Sequence, residues 1–91
     1  MHKQLNLKIK GRVQGVFYRV NTRQRALQLK LTGWVKNMPD GTVVCCAEGP
    51  EEVLRTFLEW HRAGPGSSAV QDVAVVWQDA TGEFSTFDIK Y

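Results

Sequence analysis

Leu5, Leu7 and Ile9 alternate with Asn6, Lys8 and Lys10, so the chain begins with a half-buried strand. Beyond a stretch that carries two glycines, Tyr18, Thr22, Ala26 and Leu29 recur at spacings of four, four and three. That spacing predicts a helix with those residues on one face and Arg23, Gln24, Arg25 and Gln28 on the others. Gly33 is expected to end this helix, and GWVKN to form a short second strand. MPDGT reads as a hairpin turn, because Asp40-Gly41 tolerates the positive φ values such turns need. VVCCAE follows as a third strand. Gly49 and Pro50 open a second helix, with Pro50 at the first helical position and Glu51 and Glu52 suited to the positive end of the helix dipole. Its apolar stripe is Val53, Leu54, Phe57, Leu58 and His61, and Gly64-Pro65-Gly66 stops it. VQDVAVVW is a fourth strand, and Phe87, Ile89 and Tyr91 alternate in a short last one.

The order is therefore βαββαβ plus a short C-terminal strand. Two such halves without a long linker imply an α+β fold, a ferredoxin-like α/β sandwich with an antiparallel sheet and both helices on one face. No composition break, low-complexity tract or sequence repeat divides residues 1–91, which are expected to form a single domain.

Composition narrows the function. No apolar run approaches the roughly 18 residues of a membrane span, and MHKQLNLK lacks the apolar core of a secretion signal. The expectation is a cytoplasmic protein without a membrane partner. Cys45 and Cys46 are neighbours on a strand and point to opposite faces, so they do not bridge each other. There is no CxxC or Cys/His set, His2 and His61 do not make a metal site, and neither a metal nor another cofactor is expected. Charge is distributed unevenly. Residues 1–39 hold nine Lys or Arg and no acid, whereas residues 40–91 hold nine acids against Arg55, Arg62 and Lys90. An anionic ligand is expected to meet the first half, either a small phosphate compound or nucleic acid.

The segment GRVQGVFYR, Gly11–Arg19, is richer than a plain strand-to-helix connection requires. Gly11 and Gly15 permit backbone conformations that let successive N–H groups converge on one anion. Arg19, at the helix start, can offer a charge-assisted fork to two phosphate oxygens. Val13, Val16 and Phe17 are expected to pin the loop to the core. In the predicted topology the ends of the first and second strands, at Lys10 and Asn37, lie along one sheet edge about 9–10 Å apart. A phosphate fits between them with room for a water beside Asn37. GxGxxG and the P-loop pattern are both absent, so a nucleotide fold is not indicated.

GRVQGVFYR, Thr22 and Ala26, GWVKN and the Asp-Gly turn together resemble the acylphosphatase family. The resemblance continues through AEG at 47–49, the Gly-Pro-Gly loop with Ala69 and Val70, Trp77 and the F-x-I-x-Y ending, and so covers nearly all of the chain. It implies an α/β sandwich that hydrolyses the carboxyl–phosphate anhydride of small acyl phosphates without a metal. By motif position it implies Arg19 as the phosphate-binding arginine and Asn37 as the water-orienting residue. The amide cradle falls on Gln14, Gly15, Val16, Phe17 and Tyr18. Two positions depart from the family pattern. Lys30 stands where a left-handed glycine is expected, which either strains the helix end or moves it to Gly33. Tyr18 replaces a phenylalanine and adds a hydroxyl near the cradle.

Two other functions share this element order. An RNA-binding module would need aromatics on its central strands, and VVCCAE has none, so no nucleic-acid partner is expected. A non-catalytic phosphate-binding module would use the same cradle but has little need of the Asn37 amide. The partner is read as a small-molecule acyl phosphate, and nothing in the sequence demands more than a monomer. His61, Trp34, Trp60 and Trp77 are read as packing residues.

Overall fold

The computed structural model of the protein describes residues 2–66 and 68–91. Its elements run β1 (His2–Arg12), α1 (Tyr18–Gln28), β2 (Thr32–Asn37), β3 (Val43–Pro50), α2 (Glu51–Ala63), β4 (Ala69–Asp79) and β5 (Phe87–Lys90). Strand β1 is longer than its apolar alternation, because it is hydrogen-bonded on both sides, to β3 and to β4. Backbone pairing extends a strand past the residues whose side chains have a core to enter.

The sheet order is β4-β1-β3-β2-β5. The first four strands pair antiparallel, as expected of the ferredoxin-like arrangement, while β5 pairs in parallel with β2. Leu5, Leu7, Ile9, Val35, Val43, Cys45 and Ala47 point to one face. Both helices cover that face, α1 through Tyr18 and Ala26 and α2 through Leu54, Phe57 and Leu58, and all of these join one core. Trp60 and Trp77 pack at its margins, whereas Trp34, next to the core residue Val35, lies on the other face of the sheet. Trp60 stacks on Phe57, Arg55 lies 5.1 Å above Trp77, and Lys90 lies 4.7 Å above Trp34.

Three element ends differ from the sequence reading. Helix α1 closes at Gln28 rather than at Gly33, and Lys30 takes the left-handed conformation (φ 59°). Its N–H bonds the Leu27 carbonyl at 3.1 Å and that of Leu31 reaches back to Ala26 at 2.9 Å, the paired bonds of a Schellman ending. Burying Leu31 in the core fixes the chain direction there, so lysine occupies a glycine's position. Gly33 instead lies within β2, where a Cβ would run into the Cys46 carbonyl. Pro50 is the N-cap of α2 and not its first helical residue.

The connection from β4 to β5 decides where the chain's last described residues go. It crosses the sheet end remote from the β1–α1 loop, held by the buried Glu48 carboxylate. That carboxylate accepts from the Thr81 N–H (2.8 Å), the Thr81 hydroxyl (3.0 Å), the Gly82 N–H (3.1 Å) and Gln4 Nε2 (2.8 Å). Burial alone would raise the carboxyl pKa, but these four donors outweigh it and hold the group below its usual value. From there β5 runs back alongside β2, toward the opposite edge.

Candidate active site

Val43 pairs with Ile9 on one side and with Asn37 on the other, so the ends of β1 and β2 share a level of the sheet. Asn37 lies two residues beyond the core residue Val35 and therefore leaves the sheet on the helix side, where α1 begins. Its Oδ1 is buried and has no hydrogen-bond partner within the described protein. The hairpin behind it is firm. The Met38 N–H bonds Thr42 O at 2.8 Å, and Asp40 accepts from both the hydroxyl (2.6 Å) and the N–H (3.0 Å) of Thr42. These two bonds draw the Asp40 carboxyl down to about 2.

The β1–α1 loop contains the backbone conformations from which an anion nest is made. Gly15 (φ 72°) and Phe17 (φ 60°) are both left-handed, and Phe17 is the N-cap of α1. The first N–H groups of a helix have no intrahelical partner, and the first turn of α1 carries no acid to compete for them. A Cβ at Gly15 would meet nothing within 4 Å, so glycine is needed there for its dihedrals and not for space. Gly11 has a different task from the one read in the sequence. It sits at a register shift between β1 and β4, where a Cβ would run into the Ala69 carbonyl, and it allows close strand pairing.

Val13 is buried and Val16 half-buried, as expected, but Phe17 is not. Its ring is exposed, because the left-handed N-cap turns the side chain away from the core. The loop is fastened by a residue assigned only to the cradle. Gln14 Nε2 donates to the carbonyls of Met38 and Thr42, both at 2.9 Å, and so ties the loop to the Asn37 hairpin. The Tyr18 hydroxyl points away from the cradle, into the core, and meets Nδ1 of His61 at 2.6 Å.

Gly15, Phe17, Tyr18, Arg19 and Asn37 line one pocket of about 220 Å³. The structure thus brings Arg19 and Asn37 to the same cavity. Arg19 is held from a side that the sequence reading missed. Its Nη1 donates to the Lys90 carbonyl at 3.3 Å, and its guanidinium lies 5.0 Å over the Tyr91 ring. The alternation of Phe87, Ile89 and Tyr91 was the available signal, since it puts Tyr91 on the face that α1 covers. Among the described residues no group of three or more His, Cys, Asp or Glu could hold a metal ion. Among the same residues no helix is long and apolar enough to cross a membrane.

Two helices on one face of this five-stranded sheet define a ferredoxin-like α+β sandwich. The crystal structure of the Bacillus subtilis acylphosphatase superposes with a TM-score of 0.93 at 39% identity, covering 98% of this chain and 99% of that one. An acylphosphatase from Coxiella burnetii superposes at 0.89 with 34% identity, covering 98% and 93%. The acylphosphatase of Pelotomaculum thermopropionicum is 46% identical over 83 residues, 91% of this chain and 90% of that one. The acylphosphatase family model matches residues 5–89. The chain belongs to the acylphosphatase family and is an acylphosphatase, a hydrolase of small acyl phosphates.

Proposed function

We propose that residues 1–91 act as one domain in which the phosphoryl group is bound by the backbone N–H groups of Gln14–Arg19 and the Arg19 guanidinium. Asn37 holds the attacking water. The observation that carries this assignment is the convergence of Arg19, the left-handed loop and the buried, unpartnered Asn37 Oδ1 on one cavity.

The substrate has a good leaving group, a carboxylate of low pKa, so a strong general acid is unnecessary. The water oxygen bonds to phosphorus while the bond from phosphorus to the acyl oxygen breaks, and its electron pair leaves with the carboxylate. Both water hydrogens end on inorganic phosphate, one of them passed to a phosphoryl oxygen of the substrate itself. Negative charge on those oxygens changes during transfer, and donors fixed in advance stabilise it without reorganising. Arg19 is kept in place by Lys90 and Tyr91, and the cradle by Gln14. Asn37 Oδ1 accepts a hydrogen bond from the water and directs its lone pair in line with the scissile bond.

The test is hydrolysis of benzoyl phosphate in the presence of a metal chelator. Arg19→Ala is expected to lose about 10²–10⁴-fold in kcat/KM. Asn37→Ala is expected to lose about 10²-fold or more in kcat with little change in KM, as fits a group that acts on the water and not on the substrate. Retention of most activity by either variant would remove that residue from its role.

A further inference from the structure

Of the five large apolar side chains that stand exposed among the described residues, four lie on α1 or beside its start. They are Phe17 (78% exposed), Val20 (53%), Leu27 (40%) and Tyr91 (92%), the last beneath the Arg19 guanidinium. Scattered exposed apolar residues need no explanation, but a contiguous set does. Phe17 and Val20 form part of the wall of the Arg19–Asn37 pocket. Val20 also belongs to a second, larger groove of about 730 Å³, which passes Arg23 and Leu27 and reaches Ile89 of β5. The two cavities therefore meet at Val20, and Leu27 and Ile89 continue the apolar lining beside Gln24 and Gln28.

The same left-handed turn that builds the nest sets the Phe17 ring on the wall of the pocket. An aromatic residue in the left-handed region is uncommon, and here burial of the ring gives nothing back. Backbone strain of this kind collects where a ligand is handled. Charge narrows the ligand's nature. Neither cavity is lined by an acidic side chain, so a cationic group finds no partner there. Arg23, the basic residue of the larger groove, already donates its Nε to the Phe87 carbonyl at 3.1 Å.

We propose that this groove receives the acyl half of the substrate and that the enzyme prefers acyl phosphates with apolar acyl groups. The proposal rests on the phosphate site assigned above. With the phosphoryl group gripped at Arg19, the acyl chain leaves the pocket over Val20 and lies along α1 toward Leu27. Fixing one end of the ligand makes even a shallow apolar wall effective, because the second contact is intramolecular.

Acetyl, butyryl and hexanoyl phosphate test this, since their leaving groups have nearly equal acidity and differ chiefly in length. Full burial would raise kcat/KM by about fourfold per methylene, and a groove open to water on one side by about twofold. The wild-type enzyme is therefore expected to favour hexanoyl over acetyl phosphate by about 16-fold. The Val20→Ser/Leu27→Ser variant is expected to lose that slope, its folding verified by an unchanged urea midpoint. Full turnover with a flat length profile, or a slope that survives in the variant, would overturn the proposal alone. A preference for succinyl phosphate would also overturn it, in favour of an anionic acyl group recognised by Arg23. A flat profile together with dimerisation that the variant abolishes would assign the face to a second copy. Failure to turn over any acyl phosphate would overturn the underlying site, and this proposal with it.

Discussion

The Tyr18 hydroxyl lies 2.6 Å from Nδ1 of His61, with both side chains buried, so the first residue of α1 is bonded to the last turn of α2. One proton holds the pair together, and Nε2 of the same imidazole is buried without a partner among the described residues. Phe57 meets His61 edge-on at 4.6 Å and Trp60 at 4.9 Å, which completes an apolar surround. The bond fixes the residue next to Arg19, and thereby the point from which the proposed phosphate ligand projects.

This burial makes stability depend on pH. Desolvation lowers the His61 pKa from about 6.5 to about 3. Between those values the unfolded chain holds a proton at His61 that the folded protein does not. Acidification in that window therefore destabilises the fold, by at most about 1.4 kcal/mol per pH unit from this group. Between pH 6 and 5 ordinary carboxylates contribute little, so urea midpoints measured there isolate the effect. A Tyr18→Phe/His61→Leu variant removes both polar partners and is expected to lose the slope while keeping stability at pH 7 within about 1 kcal/mol. An unchanged slope would show that another group titrates.

Lys30→Gly relieves a left-handed lysine in the Schellman ending of α1. The gain is about 0.5–1 kcal/mol, reduced by the greater freedom of glycine in the unfolded chain. Thermal unfolding is expected to shift upward by a few degrees with kcat unchanged. A lower melting temperature would mean that the Lys30 side chain contributes contacts that offset its backbone cost.

Glu48→Gln places an amide among four donors and leaves at least one of them facing another donor. A loss of about 2 kcal/mol is expected, measured by denaturant unfolding. Because Glu48 lies at the sheet end remote from Arg19, turnover by the folded fraction should be unaffected.

Gln14→Ala cuts both bonds between the loop and the Asn37 hairpin. Small displacements between a bound phosphate and its water are costly. We expect kcat to fall about 3–10-fold and stability by no more than about 1 kcal/mol. Unaltered kinetics would show that the loop holds its shape without the hairpin.

Much of this architecture was legible in side-chain spacing. Leu5, Leu7 and Ile9 announced β1, and Tyr18, Thr22 and Ala26 the buried face of α1, because spacing alone decides which residues can share a face. The meeting of Arg19 and Asn37 at one cavity was legible for the same reason, since element order places their ends at one sheet edge, while their proposed roles came from the family resemblance. What escaped reading depends on backbone paths that local composition does not encode. Phe17 was expected inside because phenylalanine usually is, yet a left-handed N-cap turned it outward. Gly11 looked like part of the cradle, but its need comes from Ala69, far along the chain. The four-residue alternation of β5 marked a strand without giving its direction, and the parallel pairing with β2 is what carries Tyr91 to Arg19.

That pairing has a bearing on how the enzyme comes into being. Arg19 donates its bond to a carbonyl 71 positions later in the sequence. Until β5 has been made and paired with β2, the guanidinium lacks that support, whatever the loop and the hairpin have become. On the proposed roles, full activity needs residues 87–91 docked, and because Phe87 is a fully buried member of the core, a proteolytic cut ahead of them would cost stability as well as turnover.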